Sequence, residues 1–580
     1  MSRKKRIDLA AARYASAVPL ALLMLHSGAG LAAEAPITPG SVLDTLGVGK
    51  PRMPATPPQV LLPVQTAPSP HDPRAKRFRV NAFDFSGNTV FKKRLLKRLV
   101  ERFVDMELNL HDLNKAADTI TTFYHDRGYT LARAVIPAQR VANGVVNIQI
   151  IEGRIGKVRM SGNRRYSKAF IDARTQLLKP GMLVTTDRLE TTMLLLNDLP
   201  GMSAKLVLEP GEAFGDTDAE IQLNEKLFGG SIGFNNFGRS ETGHNRLDFG
   251  LNLNSPFGWG DQLSVSGSRT NEGLVRYGRL AYSIPLNTIG TRLSIGASRV
   301  VYAVDAATIA KLGVSGDVTT TDMTVTHPIA RTRDDTEILS VGVKRDRLTQ
   351  DTLGITTSDN AVTVMNFGYQ VSLINEDTSV TNANFSLATN FKSVDNSISP
   401  ERDNYSQQNA VLARWEMDVN HNAPLSGKWD LYLRADIMYS NQMLPDTEKF
   451  SLGGPSSVRG YRPSELRGDT GYLGTVELRR PFSIAGKYGI FRLTADTGEV
   501  TYKMSGRDSI SGFPFRDNSN RLHSAGFGAT FFPAKNVVAS IDVARPIGKE
   551  TLKGTDAFGN LTREEVPRST QIWMSISASF

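Results

Sequence analysis

Regular alternation of apolar and polar residues dominates the chain from about residue 227 to its end. In the segment 246–254, RLDFGLNLN, Leu and Phe occupy every second position, and Asp, Gly and Asn lie between them. The segments 429–440 and 571–580 repeat this pattern. Side chains of a strand point alternately to its two faces, so each segment predicts a strand with one apolar and one polar face. A membrane barrel needs such strands because its outside meets lipid and its inside meets water.

Two architectures fit these strands, a secreted β-sandwich and a transmembrane barrel. The final strand ends the chain on Phe580. This ending is similar to the signal by which bacterial outer-membrane barrels are recognised for assembly, so we favour the barrel. With about 22 residues for each strand and its share of loop, residues 227–580 predict about 16 strands. The predicted fold class is therefore mainly β, with a 16-stranded barrel.

Helical periodicity is confined to a repeat that precedes the barrel. The segment 83–91, FDFSGNTVF, matches the segment 158–166, VRMSGNRRY, and each ends a strand in Ser-Gly-Asn, where Gly or Asn can adopt a left-handed turn. Two amphipathic helices and two strands follow in each copy, and we expect Asp112 to cap one helix and Asp187 to open another. The order of strand, helix, helix, strand, strand resembles the POTRA domain, a periplasmic α+β module found in tandem ahead of certain outer-membrane barrels.

The N-terminus has the order of a secretory signal, with basic residues, then a short apolar run, then small residues. A membrane anchor is the alternative, but the run is short and lacks a stop-transfer flank. A short helix capped by Ser41 is expected at Ser41–Leu46, followed by a proline-rich linker. The predicted divisions are a signal peptide at 1–33, the helix and linker at 34–76, POTRA domains at 77–153 and 154–226, and the barrel at 227–580.

Composition excludes several kinds of chemistry. The chain has no Cys, which removes disulfides, thiolate metal sites and cysteine nucleophiles. Its net charge of +10 is spread along the chain, so we expect no nucleic-acid partner. The His residues lack zinc-protease spacing, and no phosphate-binding loop is found. The string GGSIG at 229–233 matches a nucleophile elbow but lacks the helix that this motif requires. No catalytic residue, metal or cofactor is expected, and the chain is predicted not to be an enzyme.

An arginine in a glycine-rich stretch interrupts the strand pattern within residues 451–480, SLGGPSSVRGYRPSELRGDTGYLGTVELRR. This stretch closely resembles the region of two-partner secretion transporters in which a long loop carries a Val-Arg-Gly-Tyr motif. The motif residues are Val458, Arg459, Gly460 and Tyr461. The strand that follows is expected to turn Thr475, Glu477 and Arg479 inward.

A second motif of the same family places an aromatic residue or Gly, an Asp and a Gly at alternate positions of an inner strand. The segment TADTGEV supplies Asp496 and Gly498, with Thr494 in place of the aromatic residue or Gly. The resemblance implies that the loop at 451–471 folds back into the lumen, where Arg459 meets Asp496. Gly460 is expected to permit a sharp turn, and Tyr461 to be an amphipathic anchor.

The resemblance implies export, without ATP, of a large unfolded β-rich exoprotein from the periplasm to the cell surface. The expected partners are an exoprotein with an N-terminal secretion domain, outer-membrane lipid and, during biogenesis, the barrel-assembly machinery. The short helix resembles the start of the helix that plugs the barrel in relatives. Two alternatives remain open. A barrel-assembly insertase usually carries more POTRA units, and a passive porin would explain neither the repeats nor Arg459.

Cargo capture is assigned to one sheet edge of the first POTRA-like repeat. Small sheets expose unpaired backbone groups at their edges, and an extended polypeptide can satisfy these groups by adding a strand. The predicted edge consists of Thr130, Leu131, Ala132, Arg133, Ala134, Val135 and Ile136.

Overall fold

The computed structural model describes residues 37–46, 60–61, 77–304, 313–390, 395–398, 413–442, 444–501, 519–548, 551–555, 561–565 and 569–580. The predicted signal peptide and most of the predicted linker lie outside the described residues. The two described elements before residue 77 are α1 (Pro39–Leu46) and β1 (Val60–Leu61).

The first α+β unit packs two helices on a three-stranded sheet. Its elements are β2 (Phe78–Val80), β3 (Ala82–Ser86), α2 (Lys93–Leu99), a 3₁₀ turn (Glu101–Phe103), β4 (Met106–Leu108), α3 (Leu110–His125), β5 (Arg133–Val135) and β6 (Val145–Ile151). The central strand β6 runs parallel to β3 and antiparallel to β5, so β5 lies at an edge. The fully buried side chains of Phe85, Ile120 and Ile148 form the middle of its core.

The second α+β unit repeats this arrangement and gains a strand. Its elements are β7 (Arg154–Ser161), α4 (Lys168–Arg174), a 3₁₀ turn (Gln176–Leu178), α5 (Thr186–Asn197), β8 (Met202–Pro210) and β9 (Asp216–Glu225). Its sheet has the order β1-β8-β9-β7, in which β1 pairs in parallel with β8. Residues of the predicted linker therefore occupy the outer edge of β8.

The two Ser-Gly-Asn sequences form equivalent turns. Gly87 and Gly162 have φ values of +79° and +85°, a conformation that residues with a Cβ rarely adopt. A side chain at either position would also overlap the backbone of the neighbouring strand. The repeat seen in the sequence thus reflects a turn that only glycine fits at this point.

Helix caps differ from those expected. The N-cap of α3 is Asn109, whose Oδ1 accepts a 2.9 Å hydrogen bond from the backbone N–H of Asp112, and Asp112 returns the bond as the third helical residue. Thr185, not Asp187, caps α5. In both helices the expected acid lies in the first turn, where its charge favours the positive end of the helix dipole.

Sixteen antiparallel strands close the barrel within the described residues, as predicted. They are β10 (Phe228–Asn235), β11 (Arg246–Asn254), β12 (Gln262–Thr270), β13 (Val275–Pro285), β14 (Arg292–Ala303), β15 (Ser315–Arg331), β16 (Asp335–Thr352), β17 (Ile355–Ile374), β18 (Val380–Thr389), β20 (Ala413–Pro424), β21 (Asp430–Ser440), β24 (Thr470–Ile484), β25 (Lys487–Thr501), β26 (Ser519–Ala534), β27 (Val537–Pro546) and β30 (Gln571–Ser579). A short β19 (Asp395–Ile398) pairs with the outer part of β17. Two hairpins lie in loops, β22 (Phe450–Leu452) with β23 (Leu466–Gly468), and β28 (Thr551–Thr555) with β29 (Leu561–Glu565).

Pairing of β10 with β30 completes the barrel. The terminal residue takes part in this closure, because Phe580 exchanges backbone hydrogen bonds of 3.0 and 3.1 Å with Gly230. Apolar side chains such as Phe249, Phe527 and Ile576 point outward and are about half exposed. No helix of the described residues is long and apolar enough to cross a membrane.

The two ends of the barrel differ. At the end next to the α+β units, which we call the inner end, strands are joined by short turns such as 485–486 and 535–536. The opposite, outer end carries longer connections, including 441–469. The second unit docks on the inner turns, where Arg331 forms two hydrogen bonds with Asp198 at 2.7 and 3.0 Å, and Arg174 donates to the carbonyl of Asn287 at 2.8 Å.

Candidate functional site in the barrel lumen

The connection 441–469, which we call the lumen loop, folds from the outer end into the barrel. Its hairpin β22–β23 carries apolar side chains that pack on inward-facing residues of the neighbouring strands. The buried members of this cluster are Met438, Leu444, Phe450, Leu452, Val458, Tyr461, Leu466, Leu473, Val500 and Leu522. The loop therefore has a small apolar core of its own inside the lumen.

Arg459 lies at the tip of the lumen loop and faces two acids of the wall. Its guanidinium donates to Glu477 on β24, and its Nη1 lies 3.7 Å from Asp496 Oδ1 on β25. The backbone N–H of Arg459 donates to Asp496 Oδ2 at 3.1 Å. Trp573 on β30 donates its indole N–H to the carbonyl of Arg459 at 2.8 Å. The tip is thus held through both its side chain and its backbone.

The two acids have different surroundings. Asp496, whose side chain is fully buried, also accepts hydrogen bonds from Thr475 Oγ1 at 3.0 Å and Ser524 Oγ at 3.2 Å. Glu477, with 3% of its side chain exposed, also accepts from Arg479 at 2.7 Å. The structure brings Arg459 and Asp496 together, as the motifs implied, but the hydrogen bond of the guanidinium goes to Glu477.

The other motif residues shape the contact between loop and wall. The φ of Gly460 is not positive, so the expected sharp turn does not explain why glycine occupies this position. A Cβ there would lie 2.7 Å from Ser524 Cβ and 2.8 Å from the backbone of Arg545 and Pro546, so only glycine allows this close approach. The side chains of Val458 and Tyr461 are buried in the loop cluster. Gly498 leaves room for Leu452, which would be 2.8 Å from a Cβ at that position.

Helix α1 also lies inside the barrel, in its outer half. Val42 packs with Val275, Val300 and Tyr302 near the outer ends of β13 and β14. The helix begins at Pro39, two residues before the predicted start. The backbone N–H of Ser41 donates to Thr38 Oγ1, and the backbone N–H of Thr38 donates to Ser41 Oγ. This is a capping box in which Thr38 is the N-cap and Ser41 is the third helical residue.

Arg467 joins α1 to the lumen loop. Its guanidinium donates to Asp44 Oδ2 and to Thr38 Oγ1, both at 3.0 Å, and also binds Asp446 of the loop. Asp446 Oδ2 in turn accepts the backbone N–H of Gly40 at 2.6 Å. The start of the helix and the base of the loop therefore share one ionic cluster.

A second ionic cluster fixes the loop to strands β16 and β20 of the wall. Glu448 of the loop is buried and accepts from Lys344 on β16 and from Arg414 on β20. The two cations keep acids of their own strands nearby, with Lys344 at 3.0 Å from Asp346 and Arg414 at 3.9 Å from Glu416. Glu448 is thus the member of this cluster that the loop contributes.

Substitution Glu448→Ala is expected to loosen the base of the loop, because two neighbouring cations lose the carboxylate that they share. External trypsin should then cleave after Lys449 several-fold faster in intact cells. Glu416→Ala is the matched control, since it removes an acid near Arg414 that does not belong to the loop. Equal cleavage of both variants would contradict an anchoring role of Glu448.

The predicted cargo edge is only partly a strand. Within Thr130–Ile136, β5 covers Arg133–Val135. Helix α3 covers its outward side, since Ala134 N–H donates to Thr121 Oγ1 at 3.0 Å, and the carbonyl of Ala132 lies 2.8 Å from His125 Nε2. Leu131 packs against the core of the second unit. A polypeptide that added here would have to replace these contacts.

Comparison with known proteins identifies the chain. A model of the family described as haemolysin secretion/activation protein ShlB/FhaC/HecB matches residues 215–514. The chain belongs to this family. A model of the ShlB-type POTRA domain matches residues 78–153. The chain is an outer-membrane transporter of a two-partner secretion system, with its barrel in the outer membrane and its POTRA domains in the periplasm. The inner end of the barrel therefore faces the periplasm.

Relatives support this assignment over most of the chain. The haem/hemopexin transporter protein HuxB of Haemophilus influenzae is 25% identical over 462 residues, which cover 78% of this chain and 80% of HuxB. The outer membrane transporter CdiB of Escherichia coli is 25% identical over 428 residues, 70% of each chain. The solved structure of Escherichia coli CdiB shares the fold, with a TM-score of 0.67 at 20% identity, covering 94% of this chain and all of CdiB. Members of the family transport secreted exoproteins, so such a protein is the partner of this chain.

Proposed function

We propose that this transporter exports one large, β-rich exoprotein that carries an N-terminal secretion domain. The exoprotein enters from the periplasm, passes unfolded through the barrel and folds at the cell surface, and this folding makes the movement directional without ATP. The chain acts as a pore and performs no covalent chemistry. Outer-membrane lipid surrounds the barrel, and Phe580 directs its insertion by the assembly machinery. Nucleic acid is not a partner.

One observation carries this proposal. The two segments that lie in the lumen, α1 and the lumen loop, are tied to each other by Arg467, and the loop is tied to the wall by ion pairs of Glu448 and Arg459. Such contacts can be exchanged for water when a segment moves, whereas the continuous strand pairing of the barrel cannot. The lumen can therefore open without opening the wall.

Deletion of the gene tests this function against its alternatives. We expect loss of one exoprotein, encoded beside the gene, from the cell surface, while other outer-membrane barrels keep their abundance. Restoration by the full chain would exclude an effect on neighbouring genes. Depletion of many barrels would instead indicate an insertase, and an unchanged surface would indicate a passive porin.

Within this function, Arg459, Glu477 and Asp496 form a transport lock. The lock holds the tip of the lumen loop against β24 and β25 in the geometry needed for transport. Val458, Gly460, Tyr461 and Gly498 support the lock by packing and by close approach.

The edge at Thr130–Ile136 is proposed to capture the exoprotein by strand addition, with α3 as a competitor for the same backbone groups. Substitution Thr121→Val should release Ala134 N–H and increase exoprotein binding by the purified transporter several-fold. Ala134→Pro removes this N–H and should decrease binding. Thr119→Val, two residues earlier in α3 on its exposed side, is the control. A decrease or no change for Thr121→Val would argue against this edge.

A further inference from the structure

The segments in the lumen leave one part of the wall open. Helix α1 packs on β13 and β14 in the outer half, and the motif segment of the loop packs on β24 to β27 and β30. A cavity of about 240 Å³ lies against the wall formed by β17, β18, β20 and β21. Glu448 lies on the outer side of this cavity, and Arg434, which donates to the carbonyl of Ser456 at 2.8 Å, lies at its border with the loop. We call this part of the lumen the amide wall.

Four amide side chains line the amide wall, together with Asp418, Asp436 and Arg434. Gln370, Asn382, Asn384 and Asn420 line the cavity from three neighbouring strands. Register places Gln370 opposite Asn384, and Asn382 opposite Asn420. Asn382 donates to Asn420 Oδ1 at 3.0 Å and accepts from Ser372 at 2.7 Å. All of these residues are near the periplasmic ends of their strands, so they line the entrance half of the pore.

We propose that the amide wall is the track along which an extended segment of the exoprotein moves. This inference rests on the proposed function, because it requires that the exoprotein passes through the lumen. The wall would bind the backbone of the passing segment through the Asn and Gln side chains, with little regard to its sequence.

The chemistry of the wall fits an unfolded polypeptide. An extended chain in the lumen carries one backbone donor and one acceptor per residue, and these groups need partners when water is displaced. The strands of the barrel cannot supply them, since their backbone groups already pair with each other. An amide offers both donors and an acceptor to a passing backbone. The charged groups of the same lining have partners within the wall, because Asn384 donates to Asp418 at 3.3 Å and Arg434 pairs with Asp436. Weak contacts at several places also allow release, which a conducting path requires.

The native chain contains no Cys, which permits a direct test by disulfide formation. Single Asn382→Cys and Asn420→Cys variants of the full transporter are combined with an exoprotein that carries one Cys before a fused, stably folded domain. The folded domain stalls export with this Cys in the pore. We expect disulfides at both positions at least several-fold above two controls. Ser294→Cys faces the lumen on another wall, and Phe385→Cys lies on β18 but faces lipid.

The outcomes separate this inference from the function. Equal disulfide formation at position 294 would overturn the amide wall but leave export through the lumen intact. No disulfide at any lumen position, with export nevertheless stalled, would overturn the lumen route and the amide wall together. As a second readout, the pair Asn382→Leu with Asn420→Leu should slow secretion several-fold per folded barrel. Asn252→Leu, an inward amide on β11, is the matched control and should secrete normally.

Discussion

Substitution Arg459→Ala is expected to reduce secretion about tenfold or more while the barrel still folds. The change leaves Glu477 and Asp496 without the guanidinium that both face, in a place where 3% and 0% of their side chains are exposed. Removing one partner of a buried ion pair costs roughly 3–5 kcal/mol, and each 1.4 kcal/mol corresponds to about a tenfold change in an equilibrium. The measurement is exoprotein in the medium per heat-modifiable, folded transporter.

A mutant cycle defines the transport lock further. Glu477→Gln should impair secretion more than Asp496→Asn, because the guanidinium hydrogen-bonds to Glu477 and only approaches Asp496 to 3.7 Å. Combining either change with Arg459→Ala should add little, since the interaction is already lost. Arg521→Ala is the control, because this arginine forms a half-exposed pair with Glu499. Normal secretion by Arg459→Ala, or fully additive defects, would show that these residues do not act as a unit.

Opening of the pore is the second large expected effect. Gly40 lies so close to Arg467 and the carbonyl of Asp446 that a Cβ would overlap both. Gly40→Val should therefore expel α1 from its site, and deletion of residues 37–46 should do the same. In planar bilayers, either variant is expected to conduct several-fold more current per channel than the native transporter.

The control for this prediction lies in the same helix. The side chain of Thr45 hydrogen-bonds to the carbonyl of Val42 within α1, so Thr45→Ala leaves the contacts with Arg467 unchanged. This variant should conduct like the native transporter. If Gly40→Val and the deletion also conduct normally, α1 does not obstruct the pore.

The barrel could be predicted from the sequence because lipid and water impose a period of two on every strand. Phe249 and Leu251 lie outward as their alternation indicated, and the length of the segment predicted 16 strands. The lumen loop could not be placed in this way. The contact between Arg459 and Asp496 was predicted only from the resemblance to a family, because contacts between a loop and a distant strand leave no periodic signal in the sequence.

Other contacts of the site could not be predicted from local sequence patterns either, because they also join distant segments of the chain. Glu477 was predicted to face inward, but nothing in its neighbourhood indicated that it would receive the hydrogen bond of Arg459. Trp573 alternates with outward residues of the last strand, so its inward direction could be predicted from the sequence. Its hydrogen bond to the carbonyl of Arg459 could not. The contact of Thr121 with Ala134 depends on how α3 packs over β5, which edge-strand reasoning does not include.

The pairing of β1 with β8 limits which way the helix in the lumen can leave. Helix α1 and Val60–Leu61 belong to one continuous chain, and about 13 residues join them. Their full contour length is about 45 Å, close to the thickness of a bilayer with its headgroups. With one attachment on the periplasmic POTRA sheet and the other in the outer half of the barrel, this length limits how far α1 can move toward the cell exterior. Retreat into the periplasm shortens the distance between the attachments, so the length of the joining chain does not limit movement in that direction.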